Sequence, residues 1–184
     1  MKKTITLFAI AVMAIGQVSA QKFFTRSASI TFFSTTPVED IEAKNHQASA
    51  IVNMANGDVA FTALMKSFEF KKALMQEHFN EKYVESDKFP KATFKGKISS
   101  PGMDELAKDG EHKATVEGDL TIHGVTKSYK AEGTITKSAE ALTLNSVFDI
   151  KLADFKIKIP GPVQKKIAET VKTTIVAECK PYKK

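Results

Sequence analysis

Four histidines, one cysteine and a scatter of carboxylates are the side chains with which this chain could do chemistry. His46, His78, His112 and His123 lie far apart and show no metal-ligand spacing. The sequence holds no Gly-x-Ser-x-Gly elbow and no glycine-rich phosphate loop. His78 falls on an apolar helical stripe, which predicts a partly buried packing residue. His123 stands at a strand end before Gly124, where it is expected to stabilise a turn. Glu111, Glu117 and Asp119 fall on the polar side of an alternating strand and are expected to face solvent. Cys179 alternates with Val171, Thr173, Ile175 and Ala177, which predicts a small core residue; a reactive or dimerising thiol is the alternative. A lone cysteine makes no intramolecular disulfide, so stability must come from packing. Taken together, these residues predict a protein without enzymatic activity, metal or resident cofactor.

The elements around these residues begin after a leader. Lys2 and Lys3, the apolar run Thr4–Ile15 and the small residues Val18-Ser19-Ala20 read as a secretory signal peptide over residues 1–20, cut near Ala20/Gln21. The run is too short for an ordinary membrane span. The expected product is one exported domain, residues 21–184, periplasmic or secreted. The formal charge of +6 loses the two leader lysines and no acid, leaving +4. Its lysines are spread along the chain, which argues against a nucleic-acid footprint and leaves room for transient contact with an anionic membrane surface.

Most of the expected domain alternates with a period of two. Gln21–Arg26 reads as a lead-in. Ala28–Phe33 and Ala48–Met54 read as strands, with an acidic loop or helical turn over Val38–Asn45 between them. Ala55-Asn56-Gly57-Asp58 reads as a tight hairpin turn leading into Val59–Leu64. Leu74, Met75, His78, Phe79, Lys82 and Tyr83 form one helical stripe, and Pro90 is expected to stop that helix. Ala92–Ile98 is the next strand, and Met103–Gly110 reads as irregular. Ala114–His123 is the cleanest alternation. Further strands are expected over Tyr129–Ile135, Leu142–Ile150, Asp154–Ile159 and Thr170–Cys179, with a short helix at Val163–Ala168.

About eight short strands, mostly hairpin-connected, with one main helix inserted, predict a mainly β fold. It is an antiparallel sandwich or a closed barrel, and closure removes exposed edges. Eight strands enclose room for side chains or one small ligand. Gly118 and Gly133 fall on the buried face, with Ala63, Ala114, Ala131 and Ser146. They mark either a sheet bend with close packing or the wall of an apolar hollow. The helix stripe either covers one end of that hollow or packs as an ordinary core helix.

Two motifs carry a family resemblance. Phe89-Pro90-Lys91-Ala92-Thr93-Phe94 is followed by Gly118-Asp119-Leu120-Thr121-Ile122-His123-Gly124-Val125-Thr126-Lys127. With the preceding helix, they resemble the YceI-like family across the expected domain. The resemblance implies an antiparallel, eight-stranded, lipocalin-like barrel holding a polyisoprenoid or another amphipathic lipid with a long apolar chain, in a carrier or storage role. Phe33-Ser34-Thr35-Thr36 and Ala43-Lys44-Asn45-His46 depart from the family pattern, which leaves the ligand's identity open. Expected ligand contacts on the first strands are Phe61 and Phe94, with Val116, Leu120 and Ile122 beyond them. The later strands add Tyr129, Phe148, Ile150 and Ile175, and the helix adds Leu74, Phe79 and Tyr83. The alternative is a barrel filled by its own side chains, serving as a structural or protein-interaction module without lipid. The protein is expected to be a monomer, or a homodimer if Thr170–Cys179 were an unpaired edge of an open barrel.

Overall fold

The structure, a computed structural model, describes residues 22–182. The expected signal peptide lies outside the described residues. Eight long strands run antiparallel: β1 (Lys22–Thr35), β2 (Asp40–Asn53), β3 (Asp58–Leu64), β5 (Lys91–Ser100), β6 (Gly110–Ile122), β7 (Val125–Lys137), β8 (Leu142–Lys151) and β9 (Thr170–Pro181). A two-residue strand, β4 (Glu69–Phe70), pairs only with β2 among the described residues. The order β1-β9-β8-β7-β6-β5-β3-β2 closes on itself because β1 also pairs with β2. The sheet is therefore a barrel and not a sandwich. Thr170–Cys179 is no free edge, since β9 pairs with β1 on one side and β8 on the other.

Several local expectations give way. The lead-in belongs to β1, whose bulges between Thr25 and Ile30 shift the register against β2. Val38–Asn45 is not a loop throughout: β2 begins at Asp40. Its alternation is hidden for two reasons. Asn45 occupies a core position, fully buried, its Nδ2 donating to the Leu64 carbonyl (2.9 Å) and its Oδ1 accepting the Gln47 N–H (2.8 Å). The inward residues then change phase from Ala43 and Asn45 to Ala48, Ala50 and Val52. Asp154–Ile159 is not a strand but a 3-10 turn (Leu152–Phe155) ending in left-handed Lys156. The Val163–Ala168 helix reduces to a 3-10 turn at Gly161–Val163. Met103–Leu106 (α2) is one helical turn where irregular chain was expected.

The main helix, α1 (Ala73–His78), runs on through a π-helical turn at Phe79–Tyr83. It stops six residues before Phe89, not at Pro90. Glu85 adopts a positive φ of 43° there, and the Ser86 N–H closes the turn on the Asn80 carbonyl at 2.8 Å.

The two ends of the barrel differ. Hairpin β2–β3, α2 and the start of β8 gather at one end. Phe23, Leu106, Leu142 and Cys179 are all fully buried there, with Ile98 and Ile135 almost so. Burying each such large side chain contributes about 1.5–3 kcal/mol, so this end is a packed plug. The opposite end carries α1, the β6–β7 turn and the long β8–β9 connection. Burial pushes the Cys179 thiol up to about 12. Thiolate is the reactive form, so native protein at pH 8 should resist alkylation. Full labelling should appear only on unfolding, and rapid labelling of native protein would place Cys179 at the surface.

Candidate functional site

The inward face of the barrel is built by strand periodicity. Residues two apart share a face, and closure turns eight such faces toward one axis. Between the packed plug and α1 they leave a cavity of about 500 Å³. Registered rows cross its wall. Phe61 pairs with Phe94 and Phe94 with Leu120. Phe32 pairs with Thr173 and Thr173 with Phe148. Ile30 pairs with Ile175 and Ile150 with Val171.

All twelve expected contact residues border this cavity: Phe61, Leu74, Phe79, Tyr83, Phe94, Val116, Leu120, Ile122, Tyr129, Phe148, Ile150 and Ile175. Leu74 is the outlier, 60% exposed at the rim. The stripe's other apolar members and His78 are half-buried, so α1 covers the hollow rather than burying itself in a core.

Sequence reasoning missed the group that seats this cover. Phe32, Phe68, Phe70 and Phe79 form an aromatic box, with ring centroids 5.5 Å apart for Phe32–Phe79, 5.7 Å for Phe68–Phe79 and 5.0 Å for Phe70–Phe79. Tilted and edge-on pairs at such distances add about 0.5–1.5 kcal/mol each beyond area burial. The alternation of Phe68 and Phe70 was the available signal. The β8–β9 connection was missed too, and it brings Leu152, Ile157, Val163 and Ile167 to the wall.

Polar groups gather at the rim. Lys72 Nζ donates to Glu39 Oε1 at 2.9 Å, which ties the start of α1 to the β1–β2 turn. Lys166 also borders the cavity. The Lys72 hydrogen bond holds the Glu39 carboxyl below its ordinary value of 4.5, with further help from the Lys166 charge. A depressed carboxyl stabilises the tie above its ordinary pKa, and the tie is lost as pH falls through the lowered value. Glu39 should therefore titrate below 4.5 in carboxyl NMR and move back toward it in Lys72→Met. A wild-type midpoint at or above 4.5 would show that the tie does not form.

The two family motifs meet at this same end. Residues His123 and Gly124 form the β6–β7 turn, both with positive φ (50° and 71°), the geometry of a two-residue type I′ hairpin. His123 Nδ1 donates to the Phe155 carbonyl (3.1 Å), and Nε2 meets Glu85 Oε2 at 2.9 Å. Phe89 stacks edge-on against the His123 ring at 4.8 Å, and a Cβ on Gly124 would sit 2.4 Å from the Phe89 ring. His123 thus clamps the helix end, the hairpin turn and the β8–β9 connection together. The other histidines do not join it: His46 contacts Ser29, and His112 donates to the Lys108 carbonyl. Among the described residues, no group of three His, Cys, Asp or Glu side chains is placed to hold a metal ion.

A closed eight-stranded antiparallel barrel, plugged at one end and helix-covered at the other over an apolar hollow, is a lipocalin-like architecture. The chain belongs to the YceI-like family, whose domain matches residues 15–179. A UPF0312 protein of Pseudomonas putida (strain W619) is 34% identical over 85 residues, covering 43% of this chain and 41% of that one. A UPF0312 protein of Pseudomonas fluorescens (strain SBW25) is 42% identical over 59 residues, 29% and 31% of the two chains. The chain thus matches less than half the length of these curated relatives. Among solved structures, a polyisoprenoid binding domain from Saccharophagus degradans superposes with a TM-score of 0.75 at 15% identity, covering 89% of this chain and 99% of that one. BcnA of Burkholderia cenocepacia superposes with a TM-score of 0.68 at 18% identity, covering 82% and 95%. At these identities the superpositions speak for the fold.

Proposed function

We propose that this protein is exported and carries or stores a lipid, holding a polyisoprenoid or fatty-acyl chain in the barrel lumen without chemical turnover. The observation that carries the reading is the apolar cavity of about 500 Å³, walled by inward faces of the barrel strands and by α1. Pockets for small organic ligands span about 300–1,000 Å³. Burying a methylene contributes about 0.8 kcal/mol. Some ten methylenes would supply roughly 8 kcal/mol, near micromolar affinity before the cost of association. Such binding asks for a long apolar tube and a few polar groups at its mouth, which the Glu39–Lys72 rim supplies. The unfilled volume also weighs against a barrel packed solid by its own side chains. The apolar Thr4–Ile15 run supports export, and a lipid held away from water suits transit between membranes.

Native mass spectrometry with organic extraction, on protein from its host's exported fraction, tests the reading. An isoprenoid or acyl chain at near one per protein is the expected result. Protein that is ligand-free, and that also refuses added isoprenoids and fatty acids, would overturn it in favour of an interaction module.

A further inference from the structure

The barrel wall is not uniform. β6 and β7 pair along their whole length, from Gly110 with Lys137 to Ile122 with Val125, and β8 and β9 do the same. Between β7 and β8 the register stops at Gly133 with Ser146. A Cβ on Gly133 would lie 2.1 Å from the Asn145 carbonyl oxygen, so the strands are pressed together there and then part. Toward the helix-covered end, residues 125–132 of β7 and 147–151 of β8 make no ladder pairs with each other among the described residues.

Side chains close this seam. At its inner end Ser146 Oγ donates to the Glu132 carbonyl at 2.7 Å. At its outer end His123 holds the Phe155 carbonyl at 3.1 Å. Between these ties stands half-buried Tyr129, its ring 6.2 Å from that of Phe148 and 5.9 Å from that of Phe155. Its hydroxyl reaches the Asp149 carbonyl at 3.5 Å, the long limit of a hydrogen bond. Tyr129 and Phe148 border the cavity, and so do Glu132 and Asn145, exposed residues at the inner end of the seam. The hollow extends into the wall here.

The routes into the lumen differ in what they break. Lifting α1 disrupts the aromatic box and the Lys72–Glu39 tie. Parting strands where the ladder is intact leaves backbone donors and acceptors unpaired. At the seam no ladder stands in the way. Turning the Tyr129 ring gives up one long hydrogen bond and its contacts with two rings.

Resting on the lipid-binding reading above, we propose that the β7–β8 seam is a side portal through which the ligand's chain enters and leaves the lumen, with Tyr129 as its gate. An opening the width of one side chain suits a flexible linear chain, acyl or isoprenoid, that passes end first.

The test is the exchange of a fluorescent acyl probe followed by stopped flow. Lys130 and Asp149 would face each other if the ladder continued, and both are exposed. Lys130→Cys with Asp149→Cys is bridged in the folded protein by a bis-maleimide carrying a reducible disulfide; the buried Cys179 does not compete. The bridge should slow probe entry and release together by about tenfold or more, and leave the equilibrium affinity within about twofold, because both directions share one path. Reducing the linker should restore both rates. The same bridge between Thr134→Cys and Asn145→Cys, where the strands are paired, should change neither. Unchanged exchange through the bridged seam would overturn the portal. So would equal slowing by the control bridge, or rates that reduction fails to restore. Faster exchange in Lys72→Met, with none of it lost to the seam bridge, would also overturn it and send the chain under α1. In all these cases the probe still binds and the lipid-binding reading stands. Wild type that takes up no probe would remove that reading and the portal with it.

Discussion

Phe148→Asp is expected to abolish lipid uptake by a barrel that still folds. Phe148 borders the cavity and packs edge-on against Tyr129, with ring centroids 6.2 Å apart. Removing the ring takes away wall area worth about 1.5–3 kcal/mol to a chain lying against it. The carboxylate then faces the hydrocarbon, and a charge stripped of water without a partner costs several kcal/mol more. Together these losses exceed about 2.7 kcal/mol, which is already a hundredfold in affinity. The fold should survive because Phe148 is only half-buried and borders a cavity of about 500 Å³, wide enough for water to reach the new carboxylate in ligand-free protein. Val147→Asp is the control. One residue away, its side chain points outward and is 57% exposed, so uptake should be unchanged. Measured by displacement of a fluorescent acyl probe, equal losses in both variants would point to general destabilisation. Unchanged uptake by folded Phe148→Asp would take this stretch of wall out of the binding site.

The contrast between neighbouring residues also shows why the lumen was legible before the fold was known. Strand periodicity sorts side chains into two faces, and in a closed barrel one face has nowhere to go but the axis. Phe94, Val116, Leu120 and Ile150 could therefore be placed from alternation alone. What alternation could not reach is equally specific. Asn45, a polar residue in a core position, followed by a change of phase, concealed the first half of β2. The β8–β9 connection has no regular period, so its Leu152, Ile157 and Val163 carried no directional signal. The helix stop was misplaced because the restriction before Pro90 is local, whereas the actual stop uses Glu85, held by His123 from a distant hairpin. Long-range ties of that kind leave no spacing in the chain.

Gly118 marks where the two readings of the buried glycines become one. Gly118 pairs with Gly96 on β5 and Tyr129 on β7. A Cβ on it would lie 2.3 Å from both the Gly96 Cα and the Lys95 carbonyl oxygen, and one on Gly96 would lie 2.5 Å from the Glu117 carbonyl oxygen. These neighbours are backbone, so no change of rotamer relieves the clash. The paired glycines let β5 and β6 approach and bend where a side chain would hold them apart, and that bend helps the sheet close around its hollow. Close packing at the glycines is thus part of how the cavity is made. Gly118→Val should destabilise the protein by about 3 kcal/mol or more, at the upper end of overpacking costs. For a chain of this size that lowers the melting temperature by about 6–12 °C. Gly102→Ala meets no atom within 4 Å and should melt within about 1–2 °C of wild type. Because the valine must push β5 from β6 beside Phe94 and Leu120, uptake should fall together with stability. A Gly118→Val protein that melts like wild type would mean that the strands can separate here at no cost, and that the barrel owes its curvature to other positions.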